Sequence, residues 1–87
     1  MSEDSLIEYP CDFPIKIMGK AEQDFAPITL AIVKHHAPDF DETTMEVRSS
    51  KSGNYLSITC TIHATSRSQL DALYRALTSH PMVSVVL

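Results

Sequence analysis

Only two cysteines are present, Cys11 and Cys60, and they form no Cys-x-x-Cys pair. That excludes a disulfide framework and the ligand spacing of a zinc or redox site, leaving two reduced thiols, one of them buried. No apolar run reaches membrane-spanning length. The first residues, Met-Ser-Glu-Asp-Ser, carry neither the basic nor the apolar stretch of a secretory signal. A cytoplasmic location is the expectation. Basic charge is also scarce: seven Lys and Arg face eleven Asp and Glu, a net charge of -4. Such a balance weakens attraction to phosphate backbones and to anionic lipid, so neither nucleic acid nor a membrane is an expected partner.

What is present suits one folded unit. With 87 residues, 44% apolar and 21% charged, the chain has the composition of a globular protein and is too short to divide its core between two domains. Residues 1–12, with Glu3, Asp4, Glu8 and Asp12 against few apolar anchors, read as a flexible amino-terminal arm. Residues 13–87 read as a single domain.

Along that domain the apolar period changes repeatedly. Phe13, Ile15 and Ile17 alternate with Lys16 and Met18 until Gly19 breaks the pattern, which predicts a first strand ending in a tight turn. Residues 22–36 repeat at helical spacing, with Phe25, Ile28, Ile32 and His36 as one stripe flanked by Thr29 and Val33. Pro27 in the first turn and Pro38 beyond the last residue bracket this helix. An acidic connection comes next. Met45, Val47 and Ser49 then alternate with Thr44, Glu46 and Arg48, and residues 51–54, Lys-Ser-Gly-Asn, supply a hairpin turn. Leu56, Ile58, Cys60, Ile62 and Ala64 alternate with Tyr55, Ser57, Thr59, Thr61 and His63, giving a third strand with one dry face and one wet face. Ser66 and Gln69 stand at capping-box spacing before Leu70, Leu73, Tyr74 and Leu77 of a second helix. After Pro81, residues 82–87 form a fourth strand with Val83, Val85 and Leu87 on one side. The order is βαββαβ, an α+β, ferredoxin-like sandwich: a four-stranded, mainly antiparallel sheet with both helices on one face and strands two and four outside.

Four stretches, FPIKIMG at 13–19, HHAP at 35–38, SSKSGNYLS at 49–57 and the final VSVVL, resemble the YbeD-like family of small bacterial proteins of unknown function. The resemblance spans nearly the whole chain. It implies a ferredoxin-like sheet similar to the ACT regulatory domains that bind small ligands. The family's genes often neighbour lipoate-transfer genes, which implies a regulatory or accessory role in lipoate metabolism by association alone. The sequence departs from the family pattern at Ser52, an extra hairpin residue that would introduce a bulge between strands two and three.

No constellation announces catalysis. His35, His36, His63 and His80 with Cys60 include only one local pair, His35 and His36, whose side chains diverge on a helix, so no metal and no cofactor are expected. Cys60 points inward with the core residues, away from any base, and burial makes such a thiol inert. Lys16, Glu46 and Arg48 near His63 have the pattern of a solvated sheet face. Among exposed aromatics only Tyr55 is available to stack a base, another argument against RNA.

Two places remain for a noncatalytic role. Gly19, Lys20, Ala21 and Glu22 occupy the connection from strand one to helix one, where the resemblance to ACT domains implies a ligand site and where a missing Cβ admits close approach. Strand four carries no charge, so its edge calls for a cover: the arm, a second copy in a homodimer, or another protein. With Val85 expected in the core, Met82, Ser84 and Val86 are the expected interface residues. The reading is a regulatory or adaptor domain for a small-molecule effector or protein partner. The rivals are an accessory factor or small enzyme of lipoate metabolism using His63 or His36 with Glu46, and a pure interaction module using the sheet edge.

Overall fold

Two long strands form the spine of the molecule, β1 (Cys11–Lys20) and β3 (Tyr55–Ala64), paired antiparallel from Cys11 opposite Ala64 to Lys20 opposite Tyr55. The computed structural model describes residues 8–87. Helix α1 (Phe25–His36) leads from β1 to the short strand β2 (Glu46–Ser49), and helix α2 (Arg67–Thr78) leads from β3 to β4 (Val83–Val86). The sheet order is β2-β3-β1-β4, every neighbouring pair antiparallel, with β2 and β4 at the two edges. This is the expected ferredoxin-like α+β architecture.

Alternation produces the core directly. Ile15 and Ile17 of β1 and Ile58, Cys60, Ile62 and Ala64 of β3 are fully buried beneath the helices. The same strands send Lys16, Thr61 and His63 to the open face. β1 begins two residues before its expected start: Cys11 and Asp12, assigned to the arm, pair with Ala64 and His63. Residues 1–7 of that arm lie outside the described residues.

Helix α1 also differs from expectation. It starts at Phe25 rather than residue 22, after an Asp24 whose side chain makes no capping hydrogen bond. Its buried line is Phe25, Thr29 and Val33, continued by Ala37, while Ile28, Ile32 and His36 lie at the margin. Phe25 sets this rotation, because its ring is the largest fully buried side chain and everything four residues on is carried inward with it. The Thr29 hydroxyl thereby enters the core without a hydrogen-bond partner.

Helix α2 keeps closely to its sequence pattern. Ser66 Oγ accepts the Gln69 N–H at 3.1 Å, and Leu70, Leu73 and Leu77 are buried. The reciprocal half of the capping box is displaced by one residue: Gln69 Oε1 accepts from the Thr65 N–H at 2.7 Å, and its amide donates to the His36 carbonyl at 3.0 Å. Gln69 thus ties the end of α1 to the start of α2, satisfying a helix-terminal carbonyl that has no intrahelical donor.

Between α1 and β2 a short 3₁₀ turn (Glu42–Thr44) interrupts the acidic connection. Asp41 accepts from the Thr43 hydroxyl at 2.6 Å and the Thr43 N–H at 3.0 Å, in that order the reasons its carboxyl is held below the usual carboxylate range. The hairpin from β2 to β3 contains no bulge. Its register runs unbroken from Glu46 opposite Thr59 to Ser49 opposite Leu56, with Ser52 in the loop beyond it. Gly53 takes φ +76° there, a conformation that favours glycine. The bulge lies instead in β4, between the pairs Met18–Val85 and Gly19–Val83.

Candidate functional site

The carboxyl end of β1, the β2–β3 hairpin and the segment entering β4 all reach the same end of the sheet, a direct result of antiparallel pairing on both sides of β1. They surround residues 20–22. The Ala21 N–H donates to the Asn54 carbonyl at 2.8 Å, fixing this connection to the hairpin, and the Glu22 N–H donates to the Lys20 carbonyl at 2.8 Å. Two clefts flank the connection. One, about 200 Å³, lies between Lys20, Glu22, Pro81, Met82 and Ser84. The other, about 410 Å³, lies between Lys20, Ala21, Glu22, Gly53, Asn54 and Tyr55.

Five of the seven site residues expected from sequence, Lys20, Ala21, Glu22, Met82 and Ser84, therefore border these clefts. Lys20 and Glu22 stand on both, exposed, and neither takes part in an ion pair among the described residues. A cation and an anion thus face the clefts without compensating each other. The hairpin residues Gly53 and Asn54 escape sequence reasoning, because nothing in their local pattern reports a neighbour as distant in sequence as Ala21.

Gly19 does not belong to the site. It sits inside β1, opposite Leu56 and Val83, rather than in the turn, and it is buried. A Cβ at this position would stand 2.7 Å from Phe25 Cζ and closer still to the Met82 carbonyl oxygen. The space left by the missing side chain is filled by the chain itself, so no ligand can use it.

The bulge in β4 overturns the expected sidedness of that strand. With Ser84 as the additional residue, Val83 and Val86 both pack against the core, while Val85, opposite Met18, lies on the open face. Val86 is therefore not a freely exposed interface side chain, and Val85 is not a core residue. Leu87 exchanges both backbone hydrogen bonds with Lys16, at 3.1 and 2.8 Å, and shares the open face with Val85.

The groups weighed for catalysis remain apart. Glu46 lies beside Thr59, four residues along β3 from His63, and its nearest charged partner is Arg48 at 3.8 Å. His63 stands 3.8 Å from Asp12 at the end of the sheet away from the clefts. His35 and His36 do not diverge: their rings meet edge to face with centroids 5.0 Å apart. Cys60 is fully buried, and that burial pushes its thiol up to about 11. Among the described residues no three His, Cys, Asp or Glu side chains stand close enough together to hold a metal ion. No helix among them is long and apolar enough to cross a membrane.

Known proteins share both the sequence and the fold. A family model described as DUF493, protein of unknown function, matches residues 4–87. UPF0250 proteins align over almost their full lengths. One from Nitrosomonas europaea is 69% identical over 87 residues, 100% of both chains. One from Bordetella pertussis is 59% identical, covering 98% of this chain and 93% of its own. One from Ralstonia nicotianae is 60% identical, covering 97% and 87%. Among solved structures, the ACT domain from the GTP pyrophosphokinase of Chlorobium tepidum superposes with a TM-score of 0.60 at 17% identity, over 88% of this chain and 97% of that one. At that identity the likeness concerns the fold alone.

Proposed function

This chain belongs to the DUF493 family of proteins of unknown function, and from that premise we propose that it is a noncatalytic regulatory domain whose effector is a small polar metabolite bound at the clefts around Lys20 and Glu22. The observation that carries the reading is the shared wall: one uncompensated cation and one uncompensated anion border both clefts, held in place by the Ala21–Asn54 hydrogen bond. A ligand bearing its own charged and hydrogen-bonding groups finds partners of either sign there, next to backbone polar groups of the hairpin. The ACT-like fold supports the regulatory class, and among the described residues the buried, protonated Cys60 and the separated His63 and Glu46 form no assembled set for nucleophilic or acid-base chemistry.

The test is an NMR titration of isotope-labelled protein with amino acids, lipoate, octanoate, nucleotides and divalent metals, monitoring the backbone amides. The expected result is a saturable shift for one class of compound, confined to Lys20, Ala21, Glu22, Gly53, Asn54, Met82 and Ser84. Lys20→Ala and Glu22→Ala weaken it while leaving the rest of the spectrum in place. Silence at these amides across the whole panel, or saturable shifts centred on His63 and Asp12, would overturn the proposal.

A further inference from the structure

Among the described residues the sheet has four stretches of unpaired edge, and they are not equivalent. β1 and β3 extend past both short strands, because β2 reaches only to Thr59 and the β4 side only to Lys16. On the β1 overhang the backbone groups of residues 12 and 14 point outward, and Pro14 has no N–H to offer an incoming strand. The β3 overhang is flanked by His63 and its neighbour Asp12. β2 carries Glu46 and Arg48 on its four residues. Only β4 lacks charged side chains altogether, from Pro81 to Leu87.

That difference matters for a chain whose net charge is -4, since an edge without charged side chains adds no carboxylate to the general repulsion between two copies. β4 is such an edge, and its hydrogen bonding is poised for pairing. Leu87 exchanges both of its backbone bonds with Lys16, so by alternation the Val86 N–H and C=O point away from β1, toward solvent. On the open face beside this edge, Val85 is 45% exposed and Leu87 62% exposed. We propose that β4 pairs antiparallel with β4 of a second copy about a two-fold axis through Val85, joining two sheets into one of eight strands.

In that register Val86 faces Ser84 of the second copy, and the outward N–H and C=O of Val86 are the groups that meet it. Val85 faces its own equivalent at the closely spaced, non-hydrogen-bonded position, where side chains are about 5 Å apart on the open face. The Val85 and Leu87 side chains of both copies then cover one another. The cleft lined by Met82 and Ser84 lies along the same edge, so the second copy adds a wall to it. The pairing itself does not rest on the ligand reading and is tested without any ligand.

The molecule supplies its own control. Val47 in β2 is also 45% exposed and also lies on a four-residue edge strand. Sedimentation is measured for the parent protein, Val85→Glu and Val47→Glu, with far-ultraviolet circular dichroism to confirm folding. The parent and Val47→Glu are expected at twice the 9.7 kDa chain mass, and Val85→Glu at the chain mass, because two carboxylates would meet at the axis. A monomeric parent at millimolar concentration, a dimeric Val85→Glu, or equal dissociation by both variants would overturn the proposal. Should Val85→Glu fail to fold, amide exchange in the parent decides. Protection of the Val86 N–H that rises with protein concentration supports the pairing, and a Val86 N–H that exchanges freely at every concentration refutes it.

Discussion

Helix α2 begins on Ser66, whose hydroxyl accepts the Gln69 N–H, whereas helix α1 begins on Asp24, whose carboxyl caps nothing. α2 then buries three leucines, while α1 buries an aromatic ring, a threonine whose hydroxyl has no partner, and a valine. One helix is specified by its own sequence, through a cap and a clean apolar stripe. The other is held chiefly by what it rests on, with Phe25 seated over Gly19. Equal length therefore conceals different origins of stability: local in the second βαβ half, tertiary in the first.

The most direct way to break this contrast is at the seat. Phe25→Ala is expected to cost about 3–5 kcal/mol in chemical denaturation, as for other buried aromatic truncations, and a smaller loss would show that α1 does not depend on that ring. A second difference between the halves concerns their thiols. Cys60 of β3 is buried with its thiol raised from 9.0 to about 11, whereas Cys11 of β1 is half-buried. Between those pH values the folded protein retains a proton that the unfolded chain releases. The stability this contributes is complete below pH 9 and is lost as pH rises to 11, a change of roughly 2–3 kcal/mol. Denaturation curves of the parent and Cys60→Ala across that range should diverge accordingly.

Gly19→Ala pushes a methyl group against Phe25 and the Met82 carbonyl and should destabilise by about 1–3 kcal/mol, the usual cost of overpacking. At the helix starts, Ser66→Ala should cost about 1 kcal/mol and Asp24→Ala less than about 0.5 kcal/mol, both read from thermal unfolding. Equal losses would remove the distinction between the caps. One expected effect has the opposite sign. Thr29→Val replaces a buried, unpartnered hydroxyl by a methyl group of the same shape and should stabilise the protein by up to about 1 kcal/mol.

The same division explains which parts of the molecule are legible in its sequence. β3 and α2 are legible because one period governs each and the aliphatic residues agree with it. In α1 the sequence pattern is off by a part-turn, since Thr29 looks like a flank until Phe25 fixes the rotation. In β4 it fails because a bulge has no composition: Val83, Val85 and Leu87 alternate in the sequence, and one extra residue at Ser84 reverses the sidedness of Val85 and Val86. Gly19 is recognisable as a place where a side chain is forbidden, but local pattern cannot say whether a ligand or the protein itself fills the space. Lys20, Ala21 and Glu22 can be found because a strand-to-helix connection is visible in sequence, while Gly53 and Asn54 cannot, because only the β1–β3 register brings them alongside.

That register has a consequence for folding. The spine pairs β1, from the first βαβ half, with β3, from the second, so each half leaves out of its own sequence the strand that must lie at its centre. Neither can complete a sheet alone, and the closing contacts join residues far apart along the chain. Such interleaving favours slow, all-or-none folding over stepwise assembly. A chain cut within residues 50–54 should yield two pieces that are unstructured apart and regain the sheet only when mixed, each serving as the template on which the other folds.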